Sequence, residues 1–154
     1  MTDPTIRPTT ADDIAGLTRV LDDTGLFPAE LLPDMLAPTL AGESADLWLT
    51  CHLDGAAVGL CYSVPEALTE GTWNMRALAL RPDLQGRGHG TALVGAAERQ
   101  LAAQGQRLLI VDTSGTEDFA RTRAFYARCG YVEEARIRDF WAPGDDKVTF
   151  RKAL

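Results

Sequence analysis

The sequence predicts a single-domain α/β (α+β) fold, a mixed sheet with helices on its faces. Three observations lead there. Runs with strand-like and helix-like periodicity alternate along the whole chain. Asp54-Gly55 joins two strand-like runs as a hairpin. Arg107 to Asp112, "RLLIVD", is a near-continuous apolar run of the kind found in a buried strand. With 154 residues, 45% of them hydrophobic, the chain can build one real core, and residues 1–154 are read as one domain.

The elements follow in order. "TIRPTT" is a short strand ending in a turn, and Thr10 can cap a helix with Asp12 and Asp13 in its first turn. Ile14, Leu17 and Leu21, with Val20 beside them, recur at helical spacing up to Gly25. "FPAELLPDMLAPTL" predicts a second helix, broken by Pro33 and Pro38. "DLWLTCHL" and "AAVGLCYSV" are the strands joined by Asp54-Gly55, and Gly71 to Leu80 is a longer strand. Thr91 to Gln104 is a helix with Leu93, Val94, Ala97 and Leu101 on one face and Gly105 as its stop. After Arg107 to Asp112 comes a helix from Phe119 to Cys129, closed by Gly130. "YVEEARIRDF" and "KVTFRK" are two final strands joined by the turn "APGDD". The predicted order is β-α-α-β-β-β-α-β-α-β-β.

Composition excludes some functions. No apolar run approaches the ~20 residues of a membrane span. "MTDPTIRPTT" lacks the basic and apolar regions of a secretory signal, so a cytoplasmic protein is expected. Cys51, Cys61 and Cys129 form no CxxC pair and are expected to be reduced, structural thiols. Residues 1–70 carry a net charge of −10 and residues 71–154 one of +3, within a total of −7. That split suits two ligand surfaces of opposite sign, or solubility alone. A nucleic-acid binder would be net basic with a basic stripe, and this chain is not. His52 and His89 are the only histidines and lack ligand spacing, so no metal site is expected.

The chemistry centres on "LRPDLQGRGHGTALV", Leu80 to Val94, where three glycines sit at alternate positions between a strand and a helix. Glycine lets a backbone bend tightly and approach a ligand closely. The first amides of a helix lack internal partners and point outward at the positive end of the dipole, which suits a pyrophosphate. Arg87 would add a charge-assisted contact, and His89 lines the turn. The plainer reading is a tight strand-to-helix connection with no ligand. A P-loop would need GxxxxGK[ST], but no lysine precedes Lys147. A dinucleotide-binding oxidoreductase would need a third glycine where Thr91 stands, although Asp112 lies where its ribose-binding acid would.

Gln85-x-x-Gly88-x-Gly90 after "LALRPD" resembles the acetyl-CoA signature of the GNAT superfamily of N-acetyltransferases, and "AFYARCGY", Ala124 to Tyr131, resembles its second hallmark. The predicted element order also matches. The resemblance implies a mostly antiparallel sheet whose central strands splay, with the pantetheine arm of acetyl-CoA lying along the backbone of Leu78, Ala79 and Leu80 as an added strand. It implies that the amides of Gln85, Gly86, Arg87, Gly88, His89 and Gly90, with Thr91, hold the pyrophosphate. A backbone N–H near Leu78 would serve the developing oxyanion. Tyr126 would donate to the departing thiolate; its plainer role is that of a core aromatic.

Family members often carry a glutamate on the strand entering the glycine turn, whereas this strand reads Trp73-Asn74-Met75-Arg76. Asp112 is the substitute base favoured by the sequence, with Glu66, Glu70, Asp139, Asn74 or a water chain as alternatives. Ser114 lacks the GxSxG context of a hydrolase nucleophile. Trp141 has three readings: hairpin packing, a wall of the acceptor pocket, or a homodimer contact. The expected activity is direct acetyl transfer from acetyl-CoA to the primary amine of a small-molecule or peptide acceptor, which the acidic first half suggests is cationic. A non-catalytic acyl-CoA sensor on the same fold is the alternative. No metal, nucleic-acid or membrane partner is expected.

Overall fold

The computed structural model describes residues 3–154. Its elements follow the expected order: β1 (Thr5–Pro8), α1 (Ile14–Thr24), α2 (Leu32–Leu40), β2 (Leu47–Leu53), β3 (Ala56–Pro65), β4 (Thr72–Leu80), α3 (His89–Ala103), β5 (Leu108–Ser114), α4 (Ala120–Arg128), β6 (Val132–Ala142) and β7 (Asp145–Ala153). The strands form a seven-stranded mixed sheet in the order β1-β2-β3-β4-β5-β7-β6. β4 and β5 pair in parallel, Thr72–Asn74 against Leu108–Ile110. The pairs β1–β2, β2–β3, β5–β7 and β6–β7 are antiparallel. The chain divides into two compact units. The chain through Val64, with Arg76–Gln100, makes the first, and Pro65–Met75 with Leu101–Leu154 makes the second.

The first unit is organised by its helical stripe. Leu17, Val20 and Leu21 of α1 and Leu32 and Leu36 of α2 are buried against Trp48, Leu60, Ala77 and Ala79. Gly25 ends α1 in the left-handed region at φ 66°. Asp54 and Gly55, both at positive φ, close the β2–β3 hairpin with Leu53 opposite Ala56, as a tight hairpin turn requires. One expectation fails here: α2 is continuous. Pro33 sits in its first turn, where the missing N–H has no helical partner anyway, and Pro38 lies within its last turn. The helix ends just beyond, where Glu43 N–H donates to the Pro38 carbonyl at 2.9 Å.

Ahead of α1, Thr10 N–H donates to Asp13 Oδ2 at 2.9 Å, the return arm of a capping box. Asp13 is only 4% exposed; His52 Nε2 lies 2.7 Å from its Oδ1 and Arg7 3.4 Å from its Oδ2. Burial opposes ionisation of Asp13, but the Thr10 and His52 hydrogen bonds, with the nearby charges of His52 and Arg7, hold its carboxyl below the usual carboxylate range. Its stabilising effect is therefore complete above that range and is lost as pH falls through the folded-state value. Asp13→Ala should cost about 3 kcal/mol in urea denaturation at neutral pH, and the difference from wild type should shrink as pH is lowered.

In the second unit, Leu109 and Val111 of β5 and Val148 and Phe150 of β7 are buried. β7 runs alongside β5 from Leu108↔Ala153 to Ser114↔Lys147. The final hairpin is tighter than "APGDD" suggests: Ala142 pairs with Asp145, leaving Pro143 and Gly144, the latter at φ 81°. Strand β6 has register shifts on either side of Ala135–Ile137, and every residue of it is exposed.

Candidate active site

The glycine turn belongs to the first unit. A short 3-10 turn, Pro82–Leu84, carries the chain from β4 toward α3. Gly86 and Gly88 have φ of 79° and 88°, and a Cβ built on either would meet nothing within 4 Å. The glycines therefore answer the backbone's conformation and leave open space in front of it. Ala92 N–H donates to Gly88 C=O at 3.0 Å, so the amides of His89, Gly90 and Thr91 precede the helical ladder of α3. The first turn of α3 contains no acidic residue to oppose its dipole. Arg87 is exposed and has no ion pair among the described residues. Two parts of the turn have internal duties that the spacing did not foretell. Gln85 N–H donates to Pro82 C=O at 3.3 Å, and its side-chain Nε2 donates to Leu80 C=O at 3.1 Å, tying the turn to the end of β4.

Of the β4 residues before the turn, Ala79 and Leu80 are buried and Leu78 is half-buried. The β4–β5 ladder covers Thr72–Asn74, and Leu78 to Leu80 lie beyond it. Gly59, unremarked in the sequence, matters to their placement. A Cβ there would lie 3.0 Å from the Ala79 carbonyl and from Leu80 Cδ1, and 3.1 Å from Leu93 Cδ1. Glycine inside a strand marks such a close approach.

The second unit gathers a polar cluster around Asn74, which is 7% exposed. Its Nδ2 donates to Glu66 Oε1 at 2.9 Å and to Asp112 Oδ2 at 3.3 Å. Asp112 also accepts from the Thr149 hydroxyl at 2.6 Å through Oδ1, and Lys147 Nζ lies 4.0 Å from its Oδ2. Three residues that the sequence offered separately as proton acceptors thus meet in one place. The other two lie elsewhere: Asp139 caps Gly144 N–H at 2.8 Å within the β6–β7 hairpin, and Glu70 is exposed.

Tyr126, also in the second unit, projects from α4 and is 6% exposed. Its ring is held by Phe125 at 5.3 Å and by Tyr131 and Phe150 at 5.9 Å, which fixes its orientation through aromatic packing. Trp141 Nε1 donates to Thr113 C=O of β5 at 3.2 Å, a tie from β6 to that strand, and half of its surface is exposed. Ser114 Oγ donates to Asp145 at 2.6 Å, a structural tie between β5 and β7. Cys51, Cys61 and Cys129 form no disulfide among the described residues, and burial pushes the Cys61 thiol up to about 12.

A cavity of about 570 Å³ opens in the first unit between α1 and the β2–β3 turn. Arg7, Arg19 and Arg81 balance Asp12, Asp13 and Asp23 around it, so the acidity of the first half is not gathered there.

The sheet order and the glycine turn opening α3 define an acyl-CoA N-acyltransferase fold. A model of the acetyltransferase (GNAT) family matches residues 17–131, and the chain belongs to that family. A crystal structure from Desulfovibrio desulfuricans assigned to the GNAT acetyltransferases is similar at a TM-score of 0.88 and 29% identity, covering 98% of this chain and 99% of its own. The yncA protein of Salmonella typhimurium, solved with acetyl-CoA, has a TM-score of 0.79 and 16% identity over 99% of this chain and 95% of its own. The ribosomal-protein-S18-alanine N-acetyltransferase of Escherichia coli has a TM-score of 0.78 and 17% identity over 99% and 94%. No curated protein sequence matches the chain significantly. Among the described residues no helix is long and apolar enough to cross a membrane.

Proposed function

We propose that the protein transfers the acetyl group of acetyl-CoA directly to a primary amine, with no covalent enzyme intermediate and the whole chain serving as one N-acetyltransferase domain. The observation that carries this reading is the turn at Gly86 and Gly88: positive φ, open space at both Cβ positions, and uncommitted amides at the start of a 15-residue helix. That arrangement fits a pyrophosphate. His89, Gly90 and Thr91 would hold it through their amides with Gly86, Arg87 and Gly88, and Arg87 would add its charge. The Gln85 amide, already directed to Pro82, contributes least. Leu78, Ala79 and Leu80 would take the pantetheine arm by strand addition.

Acetyl-CoA, when bound, supplies the acetyl group as a thioester. The Leu78 N–H would donate to the carbonyl oxygen as charge develops there. The Tyr126 hydroxyl would donate to the departing sulfur; a phenol titrates near ~10 and a thiol near ~8.5, so the donation is one to a stronger acid's anion and needs the two groups to stay close. The carboxylates around Asn74, Asp112 among them, would receive the proton shed by the amine. Thiol release in the presence of spermidine, glycine, kanamycin and an alanine-terminated peptide tests the activity. CoA binding without thiol release from any amine would favour the sensor reading instead.

The net charge of −10 on residues 1–70 supports a cationic acceptor. On that reading KM for spermidine should rise as salt shortens the Debye length from about 10 Å toward 3 Å. A KM that ignores ionic strength would reduce the charge split to a solubility feature.

A further inference from the structure

We propose that Glu66 is the residue that takes the proton from the acceptor amine, positioned by Asn74, with Asp112 as a fixed carboxylate beside it. This rests on the acetyl-transfer reading above.

The choice between the two carboxylates follows from their oxygens. Asp112 is engaged at both: Oδ1 accepts from Thr149 at 2.6 Å, and Oδ2 is shared between Asn74 at 3.3 Å and Lys147 at 4.0 Å. Glu66 accepts from Asn74 through Oε1 alone, at 2.9 Å, and its Oε2 has no partner among the described residues. An oxygen with no internal donor can receive a proton without giving up a hydrogen bond, whereas Asp112 would have to weaken one. Glu66 is half-buried, so that oxygen is neither sealed in a core nor freely mobile in water.

The backbone holds Glu66 in place. Its N–H donates to Thr72 C=O at 2.8 Å, and its own carbonyl accepts from the Thr69 hydroxyl at 2.9 Å, closing the turn from β3 to β4. Asn74 lies on β4, a strand that carries no carboxylate, and its two amide hydrogens suit two acceptors at once. A proton acceptor works best when its supporting hydrogen bonds pre-set its geometry. The groups facing Glu66 are therefore Asn74 from β4 and Asp112 from β5, with Thr149 and Lys147 of β7 behind Asp112.

The step balances. The ammonium first gives one proton to Glu66, which leaves a neutral amine. Its nitrogen bonds to the thioester carbonyl carbon and the carbon–sulfur bond breaks. Sulfur leaves with the electron pair and takes the Tyr126 proton, the second proton shed by nitrogen restores Tyr126, and Glu66 loses its proton to solvent.

Glu66→Gln keeps the shape and the acceptor for Asn74 but cannot take a proton. It should lower kcat for the best amine of the panel by about 10²-fold or more at neutral pH, with CoA affinity by calorimetry unchanged. The deficit should narrow as pH rises toward the amine pKa, near ~10 for an alkylamine, because the acceptor then arrives neutral. A purely structural role would leave that pH profile alone. Glu66→Asp, which retains a carboxylate, should keep the wild-type profile at reduced kcat, and Asp112→Asn should lose less than Glu66→Gln. Wild-type turnover with an undiminished Glu66→Gln, or a larger loss in Asp112→Asn, overturns the role of Glu66 alone. A wild-type protein that binds CoA yet acetylates no amine overturns the transfer reading and this role with it.

Discussion

Gly88→Val is expected to abolish CoA binding in a protein that still folds. The Gly88 φ of 88° is one that a β-branched residue resists, at a cost of about 1–3 kcal/mol. A Cβ there meets nothing within 4 Å beyond its chain neighbours, so the Cβ itself adds no packing clash to that strain. On the proposed reading, what the valine would meet is the bound pyrophosphate. Losing two hydrogen bonds to a charged group, at about 1.5–3 kcal/mol each, weakens binding by roughly 10²–10⁴-fold. Calorimetry with CoA reads the loss, and a melting curve shows that the fold survives. Unchanged affinity in the folded variant would end the phosphate-turn reading.

Tyr126→Phe is expected to lower kcat by about 10²–10⁴-fold while leaving KM for acetyl-CoA nearly unchanged. The variant removes one hydroxyl and keeps the ring, so the contacts with Phe125, Tyr131 and Phe150 persist. In the proposed mechanism the contact with sulfur would strengthen only as charge develops there, which places the expected loss in kcat. A role confined to packing makes the opposite forecast: full kcat and a small shift in melting temperature. Steady-state kinetics on the purified variant separates them, and a kcat within about threefold of wild type would return Tyr126 to the core.

Together with the Glu66 variants, these substitutions address three separate groups. In the proposed mechanism Gly88 bears on the anion, Tyr126 on the leaving sulfur and Glu66 on the amine proton. Loss of CoA binding in Gly88→Val, with binding intact in Tyr126→Phe and Glu66→Gln, would distinguish holding the cosubstrate from acting on it.

The sequence by itself determined the features whose causes are local. Asp54-Gly55 specified the hairpin because both residues tolerate positive φ. The spacing of Leu17, Val20 and Leu21 specified the buried face of α1 because helical period alone brings those positions together. Gly86 and Gly88 were legible because a backbone at positive φ selects glycine, while Gln85 and Gly90 were legible only through the resemblance to a family signature. Tertiary structure decided what depends on distant partners. Pro38 does not break α2, because it falls in the last turn of a helix whose apolar face is already buried against β2, β3 and β4. Gly59 has no local signature, since its reason is the Ala79 carbonyl on another strand. The meeting of Glu66, Asn74 and Asp112 was invisible for the same reason. Each is an ordinary polar residue in its own segment, and the strand pairing of β4 with β5 and the turn from β3 to β4 bring the three within hydrogen-bonding reach.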